Sequence, residues 1–221
     1  MNNSRRSAYH LYMFPTLDWS AACSHLAAAE PRLKVLIERY PGERLEPNPD
    51  CFRTLANAIV GQQISVKAAA SIWKRLNEAC APLSPESVAG ATDSRLREAG
   101  LSSRKVEYLR SIAGVFLRGE LSSELLCELD DKAAVEGLVS LRGVGRWTAE
   151  MVLVFHLARP DILPIDDVGL LRIAASTFRW KEEDPRLIAD RLLHRAERWR
   201  PWRTVASWYL WRDLDPEPVA Y

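Results

Sequence analysis

Apolar residues recur along this chain at three- and four-residue spacing, and the apolar-polar alternation that marks a half-buried strand is missing. In "RKVEYLRSIAGVFLRG" the residues Val106, Leu109, Ile112, Ala113 and Phe116 share one face, and Gly119 ends the run. The pattern predicts an all-α fold. Start signals support it: Asp18 before "WSAACSHLAAAE", Pro31 in the first turn of "PRLKVLIERY", Ser84-Pro85-Glu86, Thr92-Asp93, Ser102-Ser103, and Asp130 or Asp131 before "KAAVEGLVSL". Pro41-Gly42 stops the second of these, and two prolines make "GERLEPNPD" a loop. "CFRTLANAIVGQQISVKAAASIWKRLNEAC" reads as two helices meeting at a polar turn, Gly61 to Ser65. After a loop, "ARPDILPI", a helix begins near Asp166 or Asp167, followed by "DPRLIADRLLHRAERW" and, from Pro201, "PWRTVASWYLWRDL"; "DPEPVAY" reads as a loose tail.

Composition narrows the partners. With 221 residues the chain can bury a substantial core, and a net charge of +1 denies it a bulk electrostatic footprint for nucleic acid. DNA binding would have to come from local geometry. Cys23, Cys51, Cys80 and Cys127 are far apart, without the tight spacing of a zinc or iron-sulfur site, so reduced cysteines are expected. "MNNSRRSAYHLYMF" has no apolar run of signal-peptide length, and no stretch approaches a membrane span, which predicts a cytoplasmic protein, nucleoid-associated in a bacterium. Most of the eight tryptophans, and the four histidines, read as packing or surface residues, and Arg104 and Lys105 as a solvated helix start.

"LRGVGRWTAE" carries the chemistry. Two glycines around Val144 allow a sharp turn that brings main-chain amides to the surface, and the helix that starts there adds its unpaired N–H groups and positive dipole end. Such a turn can hold a phosphate whatever the base sequence.

The longer pattern "LxxLRGVGRWTAEMV" resembles the helix-hairpin-helix motif of DNA glycosylases. "AIVGQQISVKAAA", "DILPIDDVGLLR", with Asp167 twenty-two residues after Gly145, and "RWRPWRTVASWYLWR" are similar to the AlkA-like 3-methyladenine DNA glycosylase II branch. The resemblance runs from about Cys51 to Asp213. It implies a single domain over residues 1–221, two helical lobes around a cleft with the hairpin motif at about 134–157, the terminal helices forming one lobe and the middle helices the other. It also implies a compact form without the N-terminal β-rich domain of some relatives, and no iron-sulfur cluster.

By the same resemblance Asp167 is the catalytic aspartate that stabilises the cationic sugar, with Asp166 its rival. Trp147 and Trp211, and Trp208 with them, match pocket aromatics that would attract a cationic base. Gln63 matches the wedge that fills the gap left by a flipped base, with Gln62 as the alternative, and Gly143, Gly145, Arg146 and Thr148 complete the DNA-contacting set. The main-chain carbonyls of Val139, Leu141 and Val144 match those that hold a structural Na+ or K+; no other cofactor is implied. A tryptophan at 147 replaces the Schiff-base lysine of bifunctional relatives, which implies a monofunctional glycosylase; the resemblance further implies a monomer acting on alkylated bases in double-stranded DNA. A non-catalytic helix-hairpin-helix module binding duplex DNA is the competing expectation, and it would need neither Asp167 nor the aromatic set.

Overall fold

The computed structural model describes residues 17–214. The N-terminal "MNNSRRSAYHLYMF" and the tail "DPEPVAY" therefore lie outside the described residues. Among these every regular element is helical: α1 (Trp19–Ala29), α2 (Pro31–Arg39), α3 (Cys51–Gly61), α4 (Val66–Ala79), α5 (Pro85–Gly90), α6 (Asp93–Glu98), α7 (Ser103–Leu117), α8 (Ser123–Cys127), α9 (Asp131–Val139), α10 (Arg146–Phe155), α11 (Val168–Phe178), α12 (Pro185–Ala196), a 3-10 turn (Glu197–Trp199) and α13 (Arg203–Leu214). No helix among them is long and apolar enough to cross a membrane. The described residues divide into two units, one built from residues 17–47 and 158–214, the other from 48–157.

Side chains that accept a hydrogen bond from the first helical turn set most of these boundaries. Asp18, Glu30, Asp50, Ser65, Ser84, Thr92, Ser102, Ser122, Asp130, Asp167 and Asp184 cap α1 to α9, α11 and α12 in this way. The choices the sequence left open fall to Asp130 and Asp167. Two elements differ from expectation. The last helix begins at Arg203 rather than Pro201, because the Trp202 N–H is taken by the Trp199 carbonyl at 2.8 Å. The five-residue α8 was too short to show a period in the sequence.

Each unit is organised around one helix that is apolar nearly all round. In the unit formed by residues 48–157 this is α10, where Thr148 to Phe155 are all buried, packed on α3 and α9. The other unit is centred on α13, with Thr204 to Trp211 buried, packed on α1, α2 and α11. It also holds a buried ion pair: Glu30 is 1% exposed and receives Arg195 through Nε at 2.7 Å and Nη2 at 2.9 Å. His156 is buried too, with one ring nitrogen 2.7 Å from the Asn48 carbonyl and the other 2.9 Å from Ser123 Oγ.

Candidate functional site

The turn between α9 and α10 is held from below. Leu141 N–H bonds to the Leu138 carbonyl and Val144 N–H to the Leu141 carbonyl, both at 3.1 Å, and Val144 is 5% exposed, so its side chain anchors the hairpin. Gly143 has φ +85°, and a Cβ there would stand 2.2 Å from Cγ of Tyr108 on α7. Conformation and close approach both require glycine at this position. Gly145 is different. Its backbone is extended (φ −92°, ψ 175°) and nothing lies within 4 Å of its missing Cβ. It caps α10 without a side-chain acceptor, in contrast to the eleven helices capped by Asp, Glu, Ser or Thr. Gly145 itself therefore lays no side chain over the opening turn of α10. Arg146 follows at once, exposed and oriented by the buried Glu150, Nε to Oε1 at 2.8 Å.

The loop after α3 is tied to this hairpin. Gln62 donates from Nε2 to the Gly143 carbonyl and to Thr148 Oγ1, both at 2.9 Å. Gln62 and Thr148, both expected from sequence to contact DNA, here link the loop to the hairpin. Thr148 is 1% exposed, which removes it from the surface, while Gln62 is half-buried. Gln63 instead adopts φ +57° and is exposed, followed by exposed Ile64 and Val66. Lys105, read from sequence as a solvated helix start, donates from Nζ to the carbonyls of Val60 and Gln62, both at 2.8 Å. Burial pushes its amine below the ordinary lysine range. Sequence offered no signal for this role, because its acceptors are main-chain atoms more than forty residues away. Trp147, half-buried one residue into α10, lies against Gly61, where a Cβ would stand 3.9 Å from its ring.

In the other unit, Asp167 stands at the start of α11. Its Oδ1 accepts the Leu170 N–H at 2.6 Å and the Trp211 indole N–H at 3.2 Å. Two donors from separate helices therefore fix the plane of a half-buried carboxylate. At Gly169 a Cβ would come within 3.1 Å of the same oxygen, so a small residue keeps room beside it. Asp166 is exposed and does not cap the helix. Trp211 is 5% exposed and reaches Asp167 through its N–H edge. Trp208 corrects the expectation made for it: at 1% exposure it meets Trp19 edge-on at 5.1 Å and Tyr209 at 5.0 Å, leaving no ring face for a base. No group of three or more His, Cys, Asp or Glu among the described residues is placed to hold a metal ion.

Residues 56–199 match the family model described as the HhH-GPD superfamily base excision DNA repair protein, and the chain belongs to that superfamily. Within it, the chain is 34% identical to a DNA-3-methyladenine glycosylase of Bacillus subtilis, over 86% of this chain and 65% of that protein's length. It is 32% identical to DNA-3-methyladenine glycosylase 1 of Schizosaccharomyces pombe, over 82% of this chain and 80% of the relative. Among solved structures, the 3-methyladenine DNA glycosylase of Schizosaccharomyces pombe in complex with abasic DNA superposes with a TM-score of 0.76 at 29% identity, covering 87% of this chain and 95% of that one. A DNA-3-methyladenine glycosidase of Bacillus halodurans gives 0.70 at 35% identity, covering 87% and 88%.

Proposed function

We propose that this protein is a monofunctional DNA glycosylase that removes alkylated, 3-methyladenine-type bases from double-stranded DNA, with Asp167 as the catalytic carboxylate. The observation that carries this reading is the Asp167 carboxylate itself, held by Trp211 and Leu170 at a helix start in a chain of the HhH-GPD superfamily. Breaking the bond between the base nitrogen and the sugar carbon sends the electron pair to the base, so a cationic alkylpurine leaves neutral. Positive charge then develops on the sugar, where a fixed carboxylate stabilises the transition state more than the ground state. Water adds to the sugar carbon and loses its proton, with Asp167 as acceptor. A base that is already cationic needs no general acid for departure.

The rest of the constellation serves access. The glycine-capped start of α10 and Arg146 suit a backbone phosphate, and Gln63, exposed at a left-handed backbone position, suits the gap left by a flipped nucleotide. Trp147 supplies an electron-rich face for a cationic base, an attraction worth about 0.5–2 kcal/mol. A monovalent cation fits the hairpin chemically: Val139 ends α9, so its carbonyl is one the helical ladder leaves over, and Leu141 and Val144 contribute neutral carbonyl oxygens in the turn. Bound there it would add positive charge for the phosphate.

The test is release of free bases from methylated duplex DNA, identified by chromatography. Asp167→Asn should lower the single-turnover rate by about 10³-fold or more while duplex affinity is kept, as expected when a group acts only in the transition state. Borohydride should trap no covalent adduct with the wild-type protein, since Trp147 has no amine to attack the sugar. Undiminished excision by Asp167→Asn, or a trapped adduct, would overturn the assignment; duplex binding without base release would leave a binding module.

A further inference from the structure

We propose that Thr204 and Arg203, in the first turn of α13, are positioning residues for Asp167, acting through the loop that delivers it. The loop after α10 carries prolines at 160 and 164, which remove N–H donors and deny it a regular ladder. At residues 159–162 its main chain is satisfied by α13 instead. Thr204 is fully buried and makes three bonds to it: its N–H to the Pro160 carbonyl at 3.0 Å, its Oγ1 to the Arg159 carbonyl at 2.5 Å, and the Ile162 N–H to the same Oγ1 at 3.0 Å. Arg203 grips the residue between. Its Nε meets Asp161 Oδ1 at 2.6 Å, and its Nη2 meets Asp161 Oδ2 at 3.0 Å and the Asp161 carbonyl at 2.8 Å. Arg200 adds a further bond to the same carboxylate.

From this clamp the chain runs through buried Ile162, Leu163 and Pro164 to the Asp167 N–H, which bonds to the Pro164 carbonyl at 3.0 Å. Asp167 then returns to α13 through Trp211. Thr204, Trp208 and Trp211 stand at i, i+4 and i+7 of one helix, so a single face holds both ends of the loop, about 10 Å apart along its axis. The helix works as a ruler: the clamp sets where the loop starts and Trp211 sets where the carboxylate ends. A shift of about 1 Å in a catalytic group can cost on the order of 100-fold in rate. A loop anchored only by its apolar side chains would not hold that tolerance.

This inference rests on the reading of Asp167 as the group at the reacting sugar, so it is tested with one readout that needs turnover and one that does not. Thr204→Val keeps the side chain's shape and strips two of the three bonds; Arg203→Lys keeps the charge and loses the fork. Single-turnover excision from methylated duplex should fall by about 10- to 100-fold in Thr204→Val, with duplex Kd unchanged and with Thr204→Ser recovering most of the rate. Independently, the Trp211 indole N–H, assigned in a proton–nitrogen spectrum by its loss in Trp211→Phe, should exchange with solvent at least about tenfold faster in Thr204→Val and in Arg203→Lys than in wild type or Thr204→Ser. Wild-type excision by a folded Thr204→Val, or equal losses in Thr204→Ser and Thr204→Val, would overturn the proposal. Where wild-type protein releases no base, the glycosylase reading fails, and indole exchange alone decides: faster exchange upholds the clamp, and unchanged exchange overturns it.

Discussion

Replacing each hairpin glycine in turn by alanine separates what the two residues do. At Gly143 a methyl group meets two obstacles. An L-residue at φ +85° carries a penalty of about 1–2 kcal/mol. The new Cβ would also stand 2.2, 2.4 and 2.6 Å from Cγ, Cδ2 and Cδ1 of Tyr108. A ring flip does not help, because the contact falls at the root of the ring. Tyr108 or the hairpin must translate by more than about 1 Å to regain normal carbon contacts. Such overpacking costs about 1–3 kcal/mol, for a total of about 2–5 kcal/mol. At about 2–4 °C per kcal/mol for a chain of this size, Gly143→Ala should lower the Tm by roughly 4–20 °C. Gly145→Ala meets neither obstacle, being extended and open, and loses at most about 1 kcal/mol as a poorer cap. Its methyl projects beside the first turn of α10, the proposed phosphate contact, so duplex affinity should fall while the fold stays intact. Thermal melts followed by circular dichroism, with fluorescence anisotropy on labelled duplex at fixed salt, measure both quantities. A Gly143→Ala melt within about 2 °C of wild type, or a larger loss in Gly145→Ala, would refute the reasoning.

Two further outcomes concern stability. Arg195→Met removes the fork that holds the buried Glu30 carboxylate and should cost about 3 kcal/mol, read as a shift in urea midpoint; Glu30→Gln in the same background should restore part of it. Burial raises Cys23, Cys51, Cys80 and Tyr209 above their ordinary values of 9.0 and 10.0, so the folded chain keeps protons that the unfolded chain releases. Their contribution is present in full below pH 9 and is lost as pH climbs through the raised values; the Tm should therefore fall on the alkaline side, less steeply in Tyr209→Phe.

How far the site was legible in the sequence follows from the range of each interaction. Helix starts were readable because a cap acts over two or three residues, as Ser102 does toward Lys105 N–H and Asp130 toward Ala133 N–H. The all-helical class followed from the spacing of apolar residues, and the hairpin's place from two glycines ahead of a helix. The family's motif order singled out Asp167.

Tertiary structure decided which of several plausible side chains stays exposed and which is spent inside. Gln62 was taken by a carbonyl 81 positions away and Gln63 was left exposed. Thr148 and Trp208 vanished into their units, and Lys105 became a clamp on the end of α3. The turn already asks for glycine at 143, and Tyr108 adds a second requirement that no reading of the hairpin itself could supply. Asp167 obtained its fixed orientation from Trp211, 44 positions later, and from a loop strapped to Thr204. Local sequence determines where a backbone turns because caps and glycines act on their immediate neighbours. Burial and partnership are set by chain segments that meet only on folding, so the roles of chemically similar residues are decided there.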